Sequence, residues 1–168
     1  MFKILVPVDG SKSALHGVRH AIDRAAARPD ASLCLVNVQP ELNRHIGGFL
    51  SARAMREGMA ARGARALAEA VELAASSGVA ARSAVLRGRV ADALCRFSVE
   101  EGVSEIVLGA AAKSPLLRFL TGSVTNSILA AAPVPVAVVA APPPSPIHRY
   151  GIPAGVGLGL AALILTSE

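Results

Sequence analysis

The chain has 168 residues, 52% of them hydrophobic and 3% aromatic, and its 17 Lys and Arg against 12 Asp and Glu leave a net charge of +5. That length supports one ordinary domain with a sizeable core, and with no Trp and one Tyr the core must be filled by aliphatic side chains. The positive charge is scattered and base-stacking aromatics are nearly absent, so nucleic acid is excluded as a partner and a solvated basic surface is expected.

Cys34 and Cys95 lie in apolar segments without a CxxC pair and read as small hydrophobes of a reducing compartment. The opening run "MFKILVPVDG" is too short for a signal peptide and a carboxylate follows it at once, so a cytoplasmic location is expected.

Short apolar runs alternate with helical stretches along the chain. "FKILVPVD" (2–9) predicts a first strand, and residues 11–27 a helix, with Leu15, Val18, Ile22 and Ala25 at helical spacing. "ASLCLVNVQ" (31–39) is the second strand. After a loop-like segment, 40–50, a long helix runs to about residue 76 and stops at "SSG". Strands at 81–88, 104–110 and 134–140 then alternate with helices at 90–102 and 123–132.

Strands separated in this way by helices imply a parallel sheet covered on both faces, a doubly wound α/β sandwich. In a five-stranded sheet of order 3-2-1-4-5 the first and fourth strands flank the switch point, beyond whose carboxyl ends ligands bind. The turns after Val38 and at Asp9, and the stretch that begins at Gly109, fall at those ends.

The domain is expected to span residues 1–141, followed by a proline-rich linker at 142–150 that begins "PPPSP" and an apolar, glycine-rich tail at 151–168. The tail's apolar stretch, about fifteen residues, is short of the roughly twenty that span a bilayer, and Pro153 and its glycines weaken it as a helix. A marginal membrane anchor, a segment docked on an apolar groove and a frayed end are the three readings.

"GAAAKSPLLRFLTGSVTNS" (109–127) carries the chemistry. Gly109 ends a strand where a Cβ would obstruct a ligand, and Gly122 precedes a helix whose first N–H groups lack intrahelical partners. Those donors and the positive end of the helix dipole favour an anion, to which Ser123 adds a hydroxyl and Lys113 and Arg118 counter-charge. The plain alternative is a long loop in which Ser123 caps the helix.

Gly-x-x-Gly, nine residues, then Gly-Ser/Thr, after a strand and before the last helix, resembles the nucleotide motif of the universal stress protein family. "ILVPVDGSKSA", "LRGRVADALCRFSVEEGVSEIVLGA" and "GSVTNSILAAAPVPVAVV" are similar to that family too, so the resemblance covers residues 1–141 and stops at the tail. It implies an adenine-nucleotide alpha-hydrolase-like sandwich that binds ATP, with Mg or Mn, and acts in stress adaptation. By position it implies that Pro7 and Asp9 contact the adenosine and that Val38 meets the adenine through its backbone. Gly109, Ala112, Gly122, Ser123 and Val124 would surround ribose and phosphates. It further implies a homodimer built on the fifth strand, 134–140, a bare apolar edge whose Pro135 would be tolerated where no ladder partner needs its N–H.

Ala112 departs from the motif, standing where the second glycine belongs. Were it held at positive φ, the cost of about 1 kcal/mol would weaken binding roughly fivefold to tenfold. Alternatively the loop has drifted and no nucleotide binds. Asp9 has a plain alternative as well, since Asp before Gly-Ser stabilises a turn or caps a helix. Gly88 reads as a tight turn.

His16 and His20 share a helix without a third ligand, and His45 has no partners, so they read as solvated side chains. Neither a GxSxG elbow nor a GxxxxGK[ST] loop occurs, so at most slow ATP hydrolysis is expected, and Glu100 and Glu101 read as surface charge. The competing function is a nucleotide-free interaction module whose apolar tail docks weakly on a partner or membrane.

Overall fold

The structure, a computed structural model, describes residues 1–40, 52–110 and 123–140. Its elements in chain order are β1 (Phe2–Pro7), α1 (Lys12–Ala26), β2 (Ala31–Gln39), α2 (Ala52–Ser77), β3 (Ala81–Arg87), α3 (Val90–Glu100), β4 (Glu105–Ala110), α4 (Ser123–Ala131) and β5 (Val136–Ala140). The five strands form one parallel sheet in the order β3-β2-β1-β4-β5, as the sequence predicts. The segment 41–51, the domain end near residue 141, the linker and the tail lie outside the described residues.

Alternation along the strands explains why both faces are covered. Ile4, Val6, Leu33, Leu35 and Val107 enter a core with Leu15 and Val18 of α1 and Leu67, Ala70 and Ala74 of α2. Their neighbours Leu5, Cys34, Val36, Ile106 and Leu108 enter a second core with Ala91, Leu94 and Phe97 of α3 and Ile128 of α4. A strand buried on both faces has no polar side to show, hence the unbroken apolar runs.

Several element ends shift by a residue or two from the sequence expectation, and at β1, α1 and α3 a local polar interaction accounts for it. β1 stops at Pro7, two residues early, because Asp9 Oδ1 accepts the Ser11 N–H at 2.9 Å and closes a turn over Gly10, whose φ is +84°. α1 starts at Lys12, with Ser11 as its cap: Ser11 Oγ accepts the Ala14 N–H at 3.1 Å. α3 ends at Glu100 in a Schellman motif, Gly102 N–H donating to Val99 O and Val103 N–H to Ser98 O, with Gly102 at φ +60°. Pro135 precedes β5, and its carbonyl accepts the Ile106 N–H at 2.9 Å.

α1 lies unusually close on β4. A Cβ on Gly109 would sit 1.9 Å from the Ser13 carbonyl oxygen, and one on Gly17 would sit 2.9 Å from the Gly109 nitrogen. Two facing glycines therefore set the depth at which the first helix packs.

Candidate functional site

Beyond the carboxyl ends of β1, β2 and β4 lies a pocket of about 360 Å³. It opens between β1 and β4, which are neighbours in the sheet but lead to helices on opposite faces: the topological switch point. Val36, Val90, Leu108 and Ile128 give it apolar walls, while Asp9, Ser11, Ser13 and Asn37 supply polar groups.

Four residues singled out from the sequence meet here: Pro7 and Asp9 from β1 and its turn, Val38 from β2, and Gly109 from β4. Ser123 and Val124 open α4, whose Ile128 lines the same pocket. At 1.5 Å rise per residue, the start of that helix lies within about 8 Å of Ile128 along the axis. Ala112, Gly122, Lys113 and Arg118 lie outside the described residues, as do the side chains of Ser123 and Val124.

Gly109 needs its missing side chain for a different reason from the one the sequence suggested. It lies inside β4, paired with Val139, without positive φ, and the atom that excludes a Cβ is the Ser13 carbonyl of α1. Asp9 takes the turn role weighed for it, although the carboxylate is exposed at the rim. Gly88 is at φ +123°, as its reading as a turn requires.

Sequence reasoning missed Asn37. Buried at the end of β2, its Nδ2 donates to Val8 O at 2.7 Å and its Oδ1 accepts from Gln39 Nε2 at 2.6 Å. The amide thus ties the exits of β1 and β2 together and fixes the relative height of Pro7 and Val38. An Asn inside the otherwise apolar run "CLVNV" is the signal that could have found it. Ser13 was missed as well; its hydroxyl lies 2.9 Å from that of Ser11.

The charged groups with shifted titration cluster elsewhere. Arg82 of β3 reaches the Glu101 carboxylate, donates through Nε to Cys34 Sγ at 3.2 Å, and lies 5.5 Å from the Phe97 ring centroid. Its hydrogen bond holds the Glu101 carboxyl below the usual range, while Glu101 and Cys34 hold Arg82 above its own. Glu101 is thus a half-buried ion-pair partner rather than plain surface charge. Cys34 is buried as expected, whereas Cys95 is only partly so, with burial and then Asp92 raising its thiol pKa. His16 and His20 are partly buried on α1, and among the described residues no three His, Cys, Asp or Glu gather as a metal site.

Sheet order, crevice and helix placement together define a doubly wound α/β protein with a ligand-sized pocket at its switch point. The sequence profile of the universal stress protein family matches residues 1–140, and the chain belongs to that family. It is 32% identical over 143 residues to a universal stress protein of Methanocaldococcus jannaschii, covering 83% of this chain and 82% of that one. A solved family member from Burkholderia pseudomallei is 28% identical at a TM-score of 0.64, covering 83% of this chain and 96% of that one. The universal stress protein of Archaeoglobus fulgidus in complex with dAMP shares the fold at a TM-score of 0.60 and 22% identity, covering 82% of this chain and 97% of that one.

Proposed function

We propose that the chain binds an adenine nucleotide in the switch-point pocket, as ATP with Mg or Mn, and acts as a cytoplasmic homodimer in stress adaptation. The observation that carries this reading is the convergence of Pro7, Asp9, Val38 and Gly109 on one apolar-walled crevice beside the start of α4. Its volume falls within the range of small-ligand sites. Val36, Leu108 and Ile128 suit the faces of a purine, the Val38 backbone its edge, and the exposed Asp9 carboxylate the ribose hydroxyls.

In this reading the phosphates extend toward the opening of α4, where Ser123 and Val124 begin a helix whose first main-chain N–H groups have no intrahelical partners. Ala112, Lys113, Arg118 and Gly122, assigned to the phosphates from the sequence, lie outside the described residues. A divalent ion on a nucleotide is held mainly by phosphates and water with one or two carboxylates, so this reading asks for no dedicated protein cage. The family membership and the dAMP complex of the Archaeoglobus fulgidus neighbour add support. The dimer is proposed on β5, an edge strand whose Val138 is 40% exposed.

Calorimetric titration with ATP, AMP and cAMP tests the site. Saturable binding of at least one of them is expected, and Gly122→Val combined with Ser123→Ala should weaken it at least tenfold for a ligand bearing phosphates. No heat at millimolar nucleotide overturns the proposal. That result would favour the nucleotide-free interaction module, which gains from the structural duties of Asp9 and Gly109 in the turn and under α1.

A further inference from the structure

A second cavity, about 390 Å³, lies between α2 and β3, which is an edge strand among the described residues. It is lined by Ala64, Leu67, Ala68, Val71 and, at its exposed rim, Glu72 of the helix and by Ser83, Ala84 and Val85 of the strand. Gly63 brings the α2 backbone so near that a Cβ there would meet Val85 at 2.5 Å. Beyond that contact Ala64 and Ala68 carry only methyl groups, so helix and strand leave a gap, and Val71 stays 41% exposed beside it. A free strand edge next to an apolar helix face is the geometry that accepts an extended peptide. The edge pairs with its backbone, and alternate side chains enter the groove.

Apart from the exposed Glu72 and the hydroxyl of Ser83 the lining is apolar, so an occupant that is apolar over about a strand's length fits it. Residues 158–165, LGLAALIL, carry no charge and no proline, and as a strand would put Leu158, Leu160, Ala162 and Ile164 on one face. The run lies beyond the family match, which ends at residue 140, so the shared fold gives it no place.

Chain length allows the docking. From the end of β5 to β3 is four strand spacings, about 19 Å. The intervening residues, 141–157, span roughly 55 Å when extended, enough to pass around a layer of helices. The tether raises the effective concentration of the run at its own chain to the order of millimolar, which favours it over a second copy. A bilayer competes poorly, because the apolar stretch falls short of about twenty residues and contains Pro153 and several glycines.

We propose that residues 158–165 add to the edge of β3 in the same chain as a sixth strand, their alternate apolar side chains filling the α2–β3 groove. This docking is independent of any nucleotide in the switch-point pocket. Full-length chain bearing Val71→Cys and Ile164→Cys tests it. Mild oxidation should join positions 71 and 164 within one chain, identified by peptide mass, at a rate unchanged by tenfold dilution.

In a second full-length variant, Leu160→Asp with Ile164→Asp, amide exchange across Ala81–Arg87 should quicken at least tenfold while β1 is unaffected. A link formed only between chains, at a rate that rises with concentration, overturns the proposal in favour of a second copy. Flotation of the full chain with phosphatidylglycerol-containing vesicles, abolished by the two aspartates, overturns it in favour of lipid. Absence of the link together with unchanged exchange at β3 removes this occupant altogether.

Discussion

Arg82 stands directly opposite Cys34 in the β2–β3 register and links the sheet's edge to the end of α3 through Glu101. Lys3 adds to the same corner, its Nζ donating to the Glu101 carbonyl at 2.5 Å. Because Arg82 holds the Glu101 carboxyl below its unfolded pKa, the pair's contribution to stability is complete above the unfolded value, near 4.3, and is lost as pH falls through the lower folded value. Arg82→Met should therefore be less stable than the parent by a margin that is constant above about pH 5 and narrows as the solution is made more acid. Urea denaturation at a series of pH values reads that margin. A gap that widens in acid would mean that Glu101 is not the partner that matters.

At the scale of elements, the contact of α1 with β4 is set by two glycines rather than by large side chains. Gly109→Ala should force helix and strand apart and cost about 3 kcal/mol, seen as a lower urea midpoint even without ligand. An unchanged midpoint would show that the helix can move at little cost. The same contact marks where sequence reasoning reached its limit. All five strands were legible because burial on two faces writes an unbroken apolar run, and β2 falls on the residues expected, 31–39. The ends of β1 and α3 were not, since a side-chain hydrogen bond from Asp9 and a main-chain lock at Gly102 end them, and neither leaves a hydrophobic signal. Asp9 and Val38 were legible as pocket residues because the topology fixes where a doubly wound sheet opens, and Pro7 because the family resemblance placed it beside Asp9. Asn37 hid in an apolar run, and the need for glycine at 109 depends on Ser13, nearly a hundred residues away in sequence, which no local pattern reveals.

For the molecule as a whole, the two sheet edges differ in what they offer. β5 is short and apolar, with Val138 exposed, whereas β3 lies beside a groove and carries Arg82 and Arg87. If β5 joins two copies, Val138→Lys should shift the protein from dimer to monomer in sedimentation equilibrium, with its helical circular dichroism retained. A parent that sediments as a monomer at high micromolar concentration would remove that assembly. Among the described residues no helix is long and apolar enough to cross a membrane.

The central position of β1 has a consequence for biosynthesis. One flank of β1 pairs with β2, the next strand made, but the other waits for β4, with Ile4 meeting Glu105 about a hundred residues later. At ribosomal speeds of roughly 5–20 residues per second, that flank stays unsatisfied for some 5–20 s. The nascent N-terminal half, with its apolar first strand open on one side, is therefore the species a cell must shield from sticking to its neighbours.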